Sequence, residues 1–334
     1  MANITILGAG GFGIALAVMS FKNGHNVTLW SPFEEEISAI KKDRENKKLL
    51  PNVKISEEIS LTTNENCVEN ADMVIFAVPS FAVAQTCEKV KPFVKPNTLL
   101  VCVSKGFEPK TNKCLCTVIK EKIPAGLAVA LTGPSHAEEV AMEIPTTVVC
   151  ASENKDATLL AQKLLMNDFF RIYLSEDLTG VQLGGSLKNV VAIAAGICDG
   201  LGFGDNTKAA LMTRAIAEIS RLGEAMGARR ETFSGLSGIG DLIVTCTSMH
   251  SRNRRAGMLI GKGYSVKDAL DEIKMTVEGY YACEIANNLA KEYNVQMPIT
   301  SAVYSILFEN SDPKEASLSL MKRPAFSENE KTWF

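Results

Sequence analysis

Short, almost wholly apolar runs recur through the first half of the chain, separated by mixed segments. Residues 3–7, 26–30, 71–78, 99–103, 128–131, 147–150 and 171–174 each form such a run, many of them rich in β-branched side chains. Runs of that length predict strands buried on both faces, the signature of a parallel sheet. Several end in small or polar residues: Pro79-Ser80, Ser104-Lys105-Gly106 and Thr132-Gly133-Pro134-Ser135. Helix-like segments alternate with the runs, the first over residues 14–22 with Gly24 as its stop. Near Gly180 the texture changes. Residues 180–200, 207–227, 266–273, 282–293 and 301–308 read as helices, and no strand is predicted after Leu174. The pattern predicts an α/β fold: a doubly wound sheet over residues 1–178, then an all-helical domain over 179–334. No flexible linker and no internal repeat is evident. Residues 327–334 are polar and expected to fray.

Composition narrows the class. The chain has 334 residues, 46% hydrophobic and 22% charged, with net charge −3. That suits a globular protein of two domains and gives no basic surface for nucleic acid. No apolar run is expected to reach the roughly 20 residues of a membrane helix, and no leader precedes the first strand, so a cytoplasmic protein is expected. The nine cysteines are odd in number, form no C-x-x-C pair, and sit mostly in apolar runs. They read as reduced core residues. His25, His136 and His250 are scattered along the sequence, so no metal site is expected. A helical domain with apolar faces makes a homodimer a candidate.

Gly8, Gly10 and Gly13 follow the first strand at G-x-G-x-x-G spacing and open the first helix. At that place the first glycine permits a tight turn, the second lets backbone approach a pyrophosphate, and the third lets helix pack on strand. The helix N-terminus then offers free N–H groups to the phosphates. A dinucleotide, NAD or NADP, is the expected ligand. The second strand ends Trp30-Ser31-Pro32-Phe33, with neither an acid for a ribose hydroxyl nor an arginine for a 2′-phosphate. Which of the two cofactors binds stays open. Glu34-Glu35-Glu36 reads as a solvated helix start.

Lys188 stands in an apolar helical run, Leu187-Lys188-Asn189-Val190. A lysine there sits at the helix edge, or it is buried and its pKa falls toward neutrality, fit to give and take a proton. Two further segments add chemistry. In Gly235-Leu236-Ser237-Gly238-Ile239-Gly240-Asp241-Leu242, Asp241 is placed to pair with the lysine. Thr245, Ser251, Arg252 and Asn253 then offer hydroxyls, a guanidinium and an amide, groups suited to a phosphate. Arg254 and Arg255 read as an exposed basic turn.

Taken in order, these motifs identify a relationship. The Gly8–Ala17 start, Ser104-Lys105-Gly106, Gly133-Pro134-Ser135-x-Ala137-x-Glu139, Leu187-Lys188-Asn189-Val190, Gly240-Asp241-Leu242, Ser251-Arg252-Asn253 and Val277-Glu278-Gly279 resemble the NAD(P)-dependent glycerol-3-phosphate dehydrogenases of bacterial type, from residue 3 to about residue 323. The resemblance implies a Rossmann-type domain followed by a helical domain of the 6-phosphogluconate-dehydrogenase kind. It implies reversible reduction of dihydroxyacetone phosphate to sn-glycerol 3-phosphate, a precursor of membrane phospholipids, with no metal. By motif, Lys188 is the proton donor and acceptor, with Lys105 and Asp241 as its polar partners. Gly133, Ser135, Asn189, Thr245, Ser251, Arg252 and Asn253 complete the substrate site. Gly8, Gly10, Gly11, Phe12, Gly13, Ser31, Lys105, Ala137, Arg252, Thr276 and Glu278 become cofactor contacts. Relatives often carry Trp or Tyr where Phe12 stands and Ser where Gly11 stands. Two alternatives remain in the sequence: a β-hydroxyacid dehydrogenase with a carboxylate substrate, and a dinucleotide sensor without turnover.

Overall fold

The computed structural model describes residues 1–324 and 328; the expected fraying of 327–334 lies outside them except for Glu328. Eight strands form one sheet in the order β3-β2-β1-β4-β5-β6-β7-β8. They are β1 Asn3–Leu7, β2 Asn26–Trp30, β3 Ser60–Thr62, β4 Met73–Phe76, β5 Leu99–Cys102, β6 Leu127–Thr132, β7 Thr146–Ala151 and β8 Phe170–Ser175. All seven predicted strands are present, the first two with the predicted bounds and the other five trimmed or extended at their ends. The three-residue edge strand β3 was not foreseen, because so short a run carries no periodicity.

The sheet is mixed. β6 and β7 pair antiparallel, Leu131 opposite Cys150, whereas every other pair is parallel. An apolar run has no direction in it, so the reversal could not be read from sequence. Side chains of β1, β4 and β5 alternate between the two faces: Ile4, Ile6, Ile75 and Val101 join one core, Leu7, Phe76 and Leu100 the other.

The strand order reverses beside β1, and the chain ends of β1, β4, β5 and β6 open on one edge. Open sheets bind ligands at such a point. Four small devices shape it. Gly8, with φ of +122°, makes the turn out of β1, and a β-carbon there would lie 2.7 Å from the Ala77 carbonyl oxygen. Helix α1, Gly11–Lys22, starts three residues earlier than the sequence suggested and has no side chain capping its N-terminus. A β-carbon at Gly13 would lie 2.0 Å from the Gly8 carbonyl oxygen, whereas nothing lies within 4 Å of one at Gly10.

After β8, Asp177 caps a 23-residue helix, α7 (Leu178–Gly200), accepting from Gly180 N–H at 2.8 Å. Contrary to the sequence reading, α7 is long and apolar enough to cross a membrane, since Lys188 and Asp199 interrupt it too sparsely to break it. Nearly all of it is buried inside the protein. Around it pack α8 (Asp205–Ala225), α9 (Asp241–Thr247), α10 (Arg252–Gly261), α12 (Glu278–Glu292) and α13 (Pro298–Phe308). α7 and α10 approach closely because glycines line their contact: a β-carbon at Gly196 would lie 2.0 Å from the Arg254 carbonyl oxygen, and one at Gly257 2.1 Å from that of Ile193. All nine cysteines are free thiols, eight buried and Cys67 half-buried.

Candidate active site

The site lies where the sheet edge meets α7 and α9. Lys188 is on the middle of α7 and only 6% exposed. Its Nζ donates to Asp241 Oδ1 at 2.5 Å and Thr245 Oγ1 at 2.6 Å. Asp241 is the first residue of α9, entered through a single π-helical turn, Leu236–Gly240, so the Gly-rich segment seen in the sequence is a helix start. A β-carbon at Gly184 on α7 would lie 2.5 Å from the Ser237 carbonyl oxygen, so the missing side chain lets that turn sit against α7. Thr245, one turn along α9, donates to the Asp241 carbonyl at 2.6 Å.

Lys105 comes from the other half of the molecule, past the end of β5. Its Nζ donates to Asp241 Oδ2 at 2.7 Å and to the Gly133 carbonyl at 3.0 Å. One buried carboxylate thus joins two lysines from opposite sides of the cleft. Burial opposes the Asp241 charge, but the two ammonium groups hold its pKa below the usual carboxylate value. Burial lowers Lys188, and Lys105 adds to that; Asp241 opposes both, leaving Lys188 at about 8. A lysine near that value exchanges protons at neutral pH.

Beside this chain the loop after β6 turns at Gly133, φ +148°, and Ser135 Oγ donates back to the Gly133 carbonyl at 3.0 Å. Ser251 caps α10, accepting from Arg254 N–H at 3.2 Å. Arg252 is the first residue of α10, and burial draws its pKa down while Glu278 and Glu138 favour its charge. Its side chain has no hydrogen bond or ion pair among the described residues, so its guanidinium is available to an anion. Asn253 and Asn189 are more structural than the sequence implied. Asn253 Nδ2 donates to Asn189 Oδ1 at 2.9 Å, and Asn253 Oδ1 accepts from Gly279 N–H at 2.8 Å, tying α10 to α7 and α12. Arg254 is no exposed turn residue: its Nε donates to Asp199 Oδ2 at 2.7 Å.

On the cofactor side, the open space at Gly10 and the uncapped start of α1 form a cradle for a pyrophosphate. The residues fit a dinucleotide. Gly11 accepts no side chain, because a β-carbon would lie 2.8 Å from the Leu49 carbonyl oxygen. Phe12 and Ala137 are half-buried against the core on that side of the sheet. Ser31 is buried and committed, donating to Glu36 Oε2 at 2.5 Å. Glu278, at the start of α12, accepts from Ser80 N–H at 3.0 Å and from Ser80 Oγ at 2.5 Å, which brings it to the end of β4 beside Gly106. Burial raises its pKa despite those bonds. Thr276, two residues earlier, is half-buried.

Three residues beside the site were missed. Ser80 was read only as a strand end; its partner lies 198 positions away. His136 and His250, scattered in sequence, meet with ring centroids 5.6 Å apart. A cavity of about 1310 Å³ lies elsewhere in the helical half, between α7, α8 and α13, and is lined by none of these site groups.

Comparison with known proteins agrees with the motifs. The model of the NAD-dependent glycerol-3-phosphate dehydrogenase N-terminus matches residues 3–158, and that of the C-terminus matches residues 177–317. The chain is 50% identical over 328 residues to a glycerol-3-phosphate dehydrogenase [NAD(P)+] of Fusobacterium nucleatum, covering 97% of each chain. It is 51% identical over 321 residues to one from a Thermoanaerobacter species, covering 96% of this chain and 97% of that one. The crystal structure of the Coxiella burnetii glycerol-3-phosphate dehydrogenase superposes with a TM-score of 0.93 at 36% identity, over 96% of this chain and 99% of that one.

Proposed function

Because the chain belongs to the NAD-dependent glycerol-3-phosphate dehydrogenase family, we propose that it interconverts dihydroxyacetone phosphate and sn-glycerol 3-phosphate with NAD(P)H, using Lys188 as acid and base. The observation that carries the assignment is the buried Lys105–Asp241–Lys188 chain across the cleft. A nicotinamide dinucleotide held in the cradle of Gly8, Gly10 and Gly13 would supply the hydride that the C2 carbonyl carbon takes up. As the carbonyl π pair becomes an alkoxide, the Lys188 ammonium stabilises that charge and transfers a proton to the oxygen. The alcohol forms and Lys188 is left as a neutral amine. Asp241 holds the lysine in place and favours its charged form, and Thr245 fixes the direction of its N–H. Arg252, with Ser251 beside it at the start of α10, takes the phosphate and sets the pose of the carbonyl.

We assign residues 1–178 to dinucleotide binding and 179–334 to substrate binding and catalysis. A cytoplasmic setting is supported by nine free, mostly buried thiols; supply of glycerol phosphate to lipid synthesis and a homodimer complete the proposal. The test is absorbance of the reduced nicotinamide with dihydroxyacetone phosphate, run with NADH and with NADPH. Oxidation of either is expected, and the ratio of rates ranks the cofactors. A folded, cofactor-binding sample that oxidises neither would overturn the assignment.

A further inference from the structure

His136 stands between Ser135 and Ala137, in the loop that carries the Gly133 carbonyl to Lys105. Its Nε2 is buried without a hydrogen-bond partner among the described residues. Buried polar atoms in folded proteins nearly always have a partner, so an orphan in the loop whose Gly133 carbonyl meets Lys105 marks the place of a ligand atom. The ring also meets the helical half of the molecule. His250, in the turn between α9 and α10, faces it at 5.6 Å, and His250 Nδ1 lies 3.6 Å from Oε1 of Glu138, two residues on from His136. The imidazole is therefore fixed between the two halves of the site.

Its charge state selects the kind of atom it meets. Burial, then the positive charge of Lys188, with Lys105 adding, lowers its pKa from 6.5 against Glu138 and Glu139. At neutral pH the ring is neutral, with one nitrogen that donates and one that accepts. Such a ring is a weak partner for a phosphate dianion and a good one for a hydroxyl. Dihydroxyacetone phosphate has three polar groups. The C2 oxygen belongs to Lys188 and the phosphate to Arg252, on the reading of the reaction given above. The free C1 hydroxyl is left. We propose that His136 recognises the C1 hydroxyl of the substrate and so determines the preference for a hydroxymethyl ketone.

The experiment compares dihydroxyacetone phosphate with hydroxyacetone phosphate, which lacks only that hydroxyl, in wild type, His136→Phe and His136→Gln. Cofactor affinity by NADH fluorescence checks each fold. Wild type is expected to prefer dihydroxyacetone phosphate by about tenfold to a hundredfold in kcat/KM, the scale of one buried hydrogen bond. In His136→Phe the preference collapses to about threefold or less, through loss on dihydroxyacetone phosphate alone. His136→Gln, which keeps a donor and an acceptor, recovers most of it. The same pattern is expected in dissociation constants for sn-glycerol 3-phosphate against propane-1,2-diol 1-phosphate. A His136→Phe enzyme that keeps the wild-type preference, or that loses both substrates in parallel, overturns the role of His136. A wild type that turns over neither ketone overturns the reaction itself.

Discussion

Lys188 is a buried cation whose charge is set by its burial, Asp241 and Lys105, and its behaviour follows from them. Lys188→Ala should leave NADH binding within about twofold and lower turnover at least a hundredfold, the scale of general acid catalysis; stopped-flow absorbance and a fluorescence titration read the two effects. Reduction needs the ammonium, so kcat/KM for dihydroxyacetone phosphate should be flat below about pH 8 and fall above it. Oxidation needs the amine and should rise over the same range. Asp241→Asn removes the influence that raises the Lys188 pKa, so the midpoint should move to lower pH and reduction at pH 7 should drop about tenfold or more. A midpoint that stays put would separate Asp241 from the titration. Lys188 and Asp241 were legible because a lysine in an apolar helix and an acid after a Gly-rich segment are conspicuous as types. His136 and Ser80 were not. What marks them is a partner 114 positions away in one case, by 250 − 136, and 198 in the other, and a single sequence carries no record of such meetings.

At the scale of elements, the glycine seam between α7 and α10 sets how accurately Lys188 faces Arg252. Gly257→Ala places a methyl against the Ile193 backbone, which has no rotamer to yield, so a loss of about 1–3 kcal/mol in urea unfolding is expected, with reduced kcat. A second element effect is electrostatic. Glu218 on α8 accepts the Ile299 N–H at 2.7 Å and the Thr300 N–H at 3.3 Å, capping the start of α13. Burial raises its pKa to about 7 in spite of those bonds. A carboxyl raised on folding favours the fold while protonated. Its contribution is full below the unfolded value of 4.5 and is lost as pH climbs through about 7. Unfolding free energy should therefore decline over that window in wild type and much less in Glu218→Gln, which keeps an acceptor oxygen without the charge. Long apolar elements such as β1 and α7 were legible because burial on all sides leaves a continuous run. β3, the antiparallel turn of β7 and the π-helical entry to α9 were not, since each is decided by packing against chain far away.

In the whole molecule, the polar contacts that fasten the sheet edge to the helical half include Lys105 to Asp241, Ser80 to Glu278 and Ser186 to the Gly106 carbonyl. Ser80 follows Ala77, whose carbonyl lies against the Gly8 turn, so cofactor binding is expected to sense the attitude of the two halves. Ser80→Ala should weaken NADH binding about threefold to tenfold by fluorescence titration, with a smaller effect on kcat at saturation. Domain order was legible, because strand-like runs stop near Leu174 and helical ones follow. The way the halves face each other was not, as it rests on those few side chains. The buried thiols give this arrangement an internal clock. Burial pushes Cys87 and Cys150 on the sheet side and Cys246 on the helical side up to about 12, so the native thiols stay protonated and unreactive at neutral pH. An alkylating reagent would then mark each cysteine only when its surroundings open. Mass spectrometry of the tagged peptides would report which half breathes first, and how far bound nucleotide slows each.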